Sequence, residues 1–381
     1  MSGRLLRLVC TAAVAAGIVL APAPAAAEPA PGAADDRTVA GLLTDLQRLY
    51  REAEAAAETY NGTEERLNKQ RAEVRRLDAE LARTRTSLHD SRGAAGRLAR
   101  QQYQSSSDLS PYLRLLLARD PQHAVDQGHV IGRLARERVE TVGRLTGDEK
   151  KAQELSRRSR EALARQAALA ERQERERDGV RERLRAVEEL LASLTPEQLA
   201  AVAELEKSGI AGEQERFLAS GALGDDAKPS AGGESAVRFA VEQLGKPYEW
   251  GAEGPASYDC SGLTSVAWQR AGTPIPRTSQ EQWARLDHVP LDELRPGDLV
   301  VYFPEATHVA MYLGDGMVVQ APRPGADVKV SPIAANPVLG AVRPDPGGEP
   351  VRRYTPPRLP LGATDGPDAG YAPAAAESSA R

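Results

Sequence analysis

Three side chains towards the end of the chain have the types that acyl chemistry at sulfur needs: Cys260, His308 and Gln320. Cys260 sits in Tyr258-Asp259-Cys260-Ser261-Gly262-Leu263. A polar loop broken by Gly and Pro precedes it, and a short apolar-periodic run through Leu263, Val266 and Ala267 follows, stopped by Gly272. Asp259 is a good N-cap for that helix. The cysteine then lies at the positive end of the helix dipole, where thiolate is favoured over thiol. A thiolate needs a base that takes its proton and later gives one to a leaving amine. His308, opening the apolar strand HVAMYL, can be that base. A third polar group must hold the imidazole, and the carbonyl oxygen of Gln320 can accept from its Nδ1–H. The competing reading of Cys260 is a small buried hydrophobe, as most free cysteines are. His288 is the rival base, but it lies in a polar loop before Pro290. His89, His123 and His129 fall in the helical half as surface residues. The reading assigns no metal and no cofactor.

The elements that must position these groups follow from local pattern. Gly314-Asp315-Gly316 reads as a three-residue hairpin loop. Leu313 then faces Met317 and Ala310 faces Gln320, which makes His308 and Gln320 diagonal neighbours on one face. A two-residue loop would break that parity. A helix with Ala236, Val237, Ala240, Val241 and Leu244 on one face comes first, then the Cys260 helix, then a short helix capped by Pro276-Arg277-Thr278-Ser279. Strands follow at DLVVYF, HVAMYL, MVVQA and DVKV. Helices followed by an antiparallel sheet make residues 236–344 an α+β domain. Residues 220–235 read as a flexible Gly/Ser/Asp linker. Residues 345–381, rich in Pro, Gly and Ala, read as a disordered tail.

Residues 38–219 are organised differently. Val39, Leu46, Ala53, Tyr60, Leu67, Val74, Leu81, Leu88 and Ala95 recur every seventh residue. The companion positions Leu42, Leu49, Ala56, Leu77 and Leu98 are apolar, but Thr63, Gln70, Thr84 and Ser91 are not. That is a coiled-coil seam with a soft middle. The pattern breaks near 105–130, where Ser110-Pro111 and the cluster Tyr112 to Leu117 suggest a small helical tip with an exposed apolar knob. A second helix, from about Ile131 to Leu194, carries a weaker seam through Leu163, Ala170, Val180, Leu184, Val187 and Leu191. Two antiparallel helices could pair within one chain; parallel dimerisation through the first helix is the rival. The arm is either a spacer or a regulator.

The whole chain bounds the rest. Its 381 residues suffice for two domains, and an aromatic content of 4% is low for one large core. Net charge is -5 with mixed signs, which does not favour a nucleic-acid partner. Residues 1–27 read as a secretory signal peptide: Arg4 and Arg7, the apolar run Val9 to Leu20, and Ala25-Ala26-Ala27 as cleavage site. Cys10 leaves with it. Cys260 is then the one cysteine of an exported chain, found outside the cell or at the wall. An unpaired thiol in an oxidising compartment is a liability unless it acts.

LGKPYEWG, YDCSGL, IPRTSQEQW, LRPGDLVVYF and HVAMYLGDGMVVQAP occur in order. Together they resemble the NlpC family of papain-like cysteine peptidases, which cleave bacterial cell-wall peptides. The resemblance covers about 110 residues. It implies Cys260 as nucleophile and His308 as base. The third position is often His in the family and is Gln320 here, so the imidazolium would be less stabilised. By the same resemblance Tyr248 lies beside the nucleophile near the oxyanion site, and Asp259 and Ser261 line the acceptor for a free amine or stem peptide. Trp250 and Arg277 hold loops. The implied reaction is hydrolysis of a stem-peptide amide, commonly between γ-D-glutamyl and a diamino acid; amidase or acyl-transfer chemistry on the same dyad is also open. Arm plus domain also resembles exported division-associated hydrolases, restrained by a coiled coil until a membrane-bound complex releases them. The reading of another class is a coiled-coil adaptor whose papain-like domain binds wall peptides without cutting them.

Overall fold

The seven-residue repeat predicts a helix of great length, and the computed structural model contains one. It describes residues 38–105, 120–224 and 227–366. Helix α1 spans Val39–Ser105 and α2 spans Pro121–Ser193. Leu46, Leu67, Val74, Leu77 and Leu81 of α1 are buried, as are Leu155, Ala162, Val180 and Val187 of α2. Of the polar seam positions Thr63, Thr84 and Ser91 are buried and Gln70 is half-buried, and polar side chains hydrogen-bond across the pair. Gln70 Nε2 donates to the Ala162 carbonyl at 3.1 Å, Ser159 Oγ to Asp78 at 2.7 Å and Ser91 Oγ to Asp148 at 2.7 Å. Residue numbers rise on one helix as they fall on the other, so the two pair antiparallel within the chain. Leu163, placed in the seam from sequence, is 45% exposed; its neighbour Ala162 makes the contact. The signal peptide at 1–27 and residues 106–119 of the expected tip lie outside the described residues.

A third helix, α3 (Pro196–Ala219), turns the chain back. Thr195 caps it in a reciprocal box with Gln198, and Pro196 opens its first turn. Val202 of α3 joins Leu42, Leu46 and Tyr50 of α1 and Val187 of α2 in one cluster.

The C-terminal domain has α4 (Ala231–Val241), α5 (Cys260–Arg270) and α6 (Ser279–Arg285), followed by a six-stranded antiparallel sheet. The strands are β1 (Asp287–Val289), β2 (Leu299–Tyr302), β3 (His308–Gly314), β4 (Met317–Gln320), β5 (Lys329–Pro332) and β6 (Val338–Arg343), in the order β1-β6-β2-β3-β4-β5. The edge strand β1 and the returning β6 were not foreseen; both are short or contain Gly and Pro neighbours that read as loop. One sheet face carries Leu299, Val301, Val309, Met311 and Val319, packed on α4 and α5 around Trp268. The other face carries Val300, Tyr302, Ala310, Tyr312 and Val318, and Phe217 of α3 and Leu223 cover it. Gln214 of α3 also donates to Gly316 O at 2.9 Å and accepts from Ala334 N at 3.1 Å. From Val39 onward the chain is thus one compact unit.

Two expectations need correction. In the segment 220–235, Leu223 packs on the sheet and Ser230 caps α4 through Gly233 N at 2.8 Å, so the domain starts at Ala231. Residues 345–366 are not disordered. Arg295 donates to Asp345 and to Gly348 O at 2.8 Å, Val351 N to Pro229 O at 2.9 Å, and Val330 N to Ala363 O at 2.8 Å. Composition misled here because backbone groups, not large side chains, make these contacts. Residues 367–381 lie outside the described residues.

Candidate active site

Cys260 is the first residue of α5, as the sequence predicts. Asp259 has extended backbone and its Oδ1 accepts from Gly262 N at 2.6 Å, which is the cap. A side chain at Gly262 would put a carbon 2.2 Å from the Ala252 carbonyl, so glycine lets the loop close over the helix start. The thiol is buried, with the Val309 backbone amide directed at it. Its pKa nevertheless moves up. Burial contributes most, then the charges of Glu58, Asp259 and Glu54, while the Val309 amide opposes them. The expectation of a favoured thiolate is therefore corrected for the chain with its arm in place. The helix dipole is outweighed by desolvation and by three nearby carboxyl groups.

His308 opens β3, next to Val309, and Gln320 ends β4. The hairpin has a two-residue turn, with Gly314 opposite Met317. Leu313 is an extra residue between the pairs Tyr312–Val318 and Gly314–Met317, and this bulge restores the parity that a two-residue turn alone would break. His308 and Gln320 therefore meet, at 2.7 Å between Nε2 and Oε1. The ring nitrogen is Nε2, not Nδ1. That leaves Nδ1 as the nitrogen to exchange protons at the reacting end, since Nε2 donates to the amide. Gln320 Nε2 in turn donates to Ser331 Oγ of β5 at 2.7 Å, a partner sequence reasoning missed. His288 is exposed on edge strand β1 and bonded to Trp283 O at 2.9 Å, so it is no base for this site.

The residues that sequence reading missed altogether come from α1. Glu54, Glu58 and Asn61 are all buried against the domain. Glu58 accepts from Ser261 Oγ at 2.7 Å, from Ser279 N at 2.7 Å and from Ser279 Oγ at 3.1 Å, and the Cys260 thiol lies 3.8 Å away. Glu54 Oε1 lies 3.9 Å from His308 Nδ1. Asn61 Nδ2 donates to Asp259 at 3.0 Å, and Tyr60 packs edge-on to Trp250 with ring centroids 4.8 Å apart. One face of one helix thus covers thiol, imidazole and the loops beside them. The signal was present as an i, i+4, i+7 spacing of Glu54, Glu58 and Asn61, but acidic residues at helical spacing read as a solvated face.

Ser261 lines this socket through its hydroxyl, which donates to Glu58 at 2.7 Å. Asp259 does not present a free carboxylate. Arg277 holds it at 2.7 and 3.0 Å, and Gly251 N, Gly262 N and Asn61 take the remaining lone pairs. Arg277 also donates to Ser261 Oγ at 2.8 Å and pairs with Glu253 at 2.6 Å. Tyr248 is buried in the same core cluster as Cys260, and its phenol pKa is raised by burial first and then by a Cys260 charge. Among the described residues no cluster of His, Cys, Asp and Glu could hold a metal ion. A buried thiol at a helix N-terminus, an imidazole held at its far nitrogen and a donor socket next to the sulfur can support attack on an acyl carbon once α1 moves aside.

The profile of the NlpC/P60 family matches residues 245–340, which include Cys260, His308 and Gln320 and exclude the arm. A protein of Corynebacterium glutamicum named as a probable endopeptidase is 47% identical over 96 residues, which are 25% of this chain and 46% of the relative. One of Mycobacterium tuberculosis with the same description is 38% identical over 116 residues, 30% of each chain. The chain thus spans less than half the length of these relatives. A solved structure of RipD from Mycobacterium tuberculosis, described as a non-catalytic NlpC/p60 domain protein adapted to peptidoglycan binding, is 31% identical. It aligns over 29% of this chain and 96% of that one, with a TM-score of 0.27.

Proposed function

With residues 245–340 forming an NlpC/P60 domain, we propose that this chain is an exported cysteine endopeptidase that hydrolyses amide bonds in peptidoglycan stem peptides and is restrained by its own helix α1. The observation that carries the reading is Glu58 seated in a donor socket beside the Cys260 thiol. Ser261 Oγ–H and Ser279 N–H suit a carboxylate. A γ-linked D-glutamyl residue carries a free α-carboxylate close to its scissile carbonyl, so the socket supports cleavage between γ-D-glutamyl and a diamino acid. Glu58 then stands where the substrate's carboxylate would go.

In the catalytic sequence His308 Nδ1 takes the proton of Cys260, and the sulfur attacks the glutamyl carbonyl carbon. The oxyanion forms at the N-terminal end of α5 beside Tyr248. The imidazolium, still donating from Nε2 to Gln320 Oε1, passes its proton from Nδ1 to the leaving amine as the C–N bond breaks. Water, deprotonated by the same nitrogen, then cleaves the thioester and returns the thiol. Gln320 orients the ring without a charge, so it stabilises the imidazolium less than a carboxylate would.

The test is digestion of purified wall by the full chain with mass analysis of the fragments. Cys260→Ala and His308→Ala should each abolish stem-peptide release; full activity in either variant overturns the reading. A wall-binding adaptor is favoured by one observation, the buried thiol with its raised pKa. A thiol-reactive probe on a chain opened by substitution at Glu58 separates the two: rapid labelling with no fragments released supports the adaptor. A membrane-bound division complex pulling on the hairpin would be the natural activator in this reading.

A further inference from the structure

Glu54 contributes to the covered site in a way that differs from Glu58. Glu58 is met by a set of donors. Glu54 faces the imidazole of His308 at 3.9 Å and borders a cavity of about 830 Å³ between α1, α3 and the domain. The charged groups around it are on every packed element. Arg51 and Glu58 lie on its own helix, Glu206 on α3, and Arg323 between β4 and β5. Arg323 is the cation that compensates Glu54 most, but its guanidinium is bonded to Glu206 at 2.7 Å and stacked 4.7 Å over the Tyr50 ring. An ionised Glu54 would therefore add a third carboxylate charge beside Glu58 and Asp259 with Arg323 already shared.

We propose that docking of α1 takes up one proton, held between Glu54 and His308, and that this proton both clamps the arm and silences the base. With the arm away and pH near neutral, a solvated Glu54 is a carboxylate and the imidazole is neutral, so the two carry no shared proton. Docked, they carry one. Whether it resides on the carboxyl or on the ring is a property of the coupled pair. With the proton on the ring, His308 Nδ1 cannot accept the thiol proton; with it on the carboxyl, Glu54 has no charge to stabilise the imidazolium that accepting the thiol proton would form.

The electrostatics agree in direction. Burial pushes Glu54 up to about 8, with Glu58 raising it further and Arg323 and Arg51 opposing. The sign follows from linkage. A carboxyl whose pKa is higher docked than free favours docking fully below its free value, near 4.5. That contribution is lost as pH rises through about 8. The arm is thus tightest in mildly acidic medium and loosens towards alkaline pH. The proposal rests on α1 being a restraint, and it adds what the restraint responds to.

The experiment follows the Ser279 amide, which donates to Glu58 Oε2 when α1 is docked. Its hydrogen-exchange protection is measured in the full chain from pH 5.5 to 8.5 and corrected for intrinsic exchange, so no catalysis is needed. The proton linked through Glu54 adds up to about tenfold per pH unit to the growth of the open fraction, on top of the share from Glu58, whose pKa docking also raises to about 7. Glu54→Gln, a neutral isostere, should stay docked and lose one proton's worth of that slope. Equal slopes in the two chains, no slope in the native one, or a Glu54→Gln arm that is open at every pH would each overturn the proposal. Opening by substitution of Glu58 is the control for the restraint itself. If that fails, the restraint is refuted; if it succeeds while the slopes are equal, only the proton linkage is.

Discussion

Replacing Glu58 by Met should open the cleft in the full chain. Met keeps the length and nearly the volume of Glu and has similar helix propensity, so α1 itself is unaffected. What changes is the socket. Two short bonds, from Ser279 N and Ser261 Oγ at 2.7 Å each, lose their acceptor, whereas Ser279 Oγ keeps the Ala306 carbonyl at 2.7 Å. A buried donor left unsatisfied costs ~1–3 kcal/mol, so the two together cost about 4 kcal/mol. An opposing effect must be subtracted. Burial and the nearby Asp259 raise the Glu58 pKa from 4.5 to about 7, so seating this carboxyl is itself costly. At pH 6 its removal returns about 2 kcal/mol. The loss of partners wins by about 2 kcal/mol, a population change of roughly 30-fold. The assay is the rate at which a small alkylating reagent labels Cys260, together with stem-peptide release from purified wall. Both should rise roughly 30-fold, until opening is complete. Glu73→Met is the control, because Glu73 is bonded along its own helix to Arg76. Rates for Glu58→Met within twofold of the native chain would refute the idea that Glu58 holds the arm.

In a chain opened this way, His308→Ala should lower the rate of stem-peptide release by about 10²–10⁴, the range for losing a general base, whereas Gln320→Ala should cost less. Ser331→Ala should lower kcat by about tenfold at unchanged KM and Ser331→Thr should restore it, since Ser331 holds Gln320 through one neutral hydrogen bond; an unchanged kcat in the alanine variant would make Ser331 irrelevant to the ring. Arg323→Ala removes both the Glu206 bond and the Tyr50 stack, and should speed Cys260 labelling while leaving Trp fluorescence of the domain unchanged. Trp268→Ala should cost about 3–5 kcal/mol in denaturant melts, because the ring is fully buried and its Nε1 donates to Gly297 O at 3.1 Å.

Local pattern carried the reading a long way. The cap at Asp259, the helix that starts at Cys260 and the heptad of α1 depend on residues a few positions apart, and all were legible. His308 with Gln320 was also legible, but the route was incomplete: the parity depends on a bulge at Leu313, which no composition signal marks. The ring nitrogen that meets Gln320 needed coordinates, because either nitrogen suits the same spacing. Residues 345–366 were misread since their contacts are made by backbone carbonyls and amides, to which side-chain composition is blind. Local sequence by itself determined where a thiol, a base and its orienting amide could stand. Only the tertiary structure decided that Glu54 and Glu58, some two hundred residues earlier, lie on them. Carboxylates at helical spacing look solvated until a socket of donors, assembled from α5 and α6, is brought against them, and such a match has no local signature in the chain.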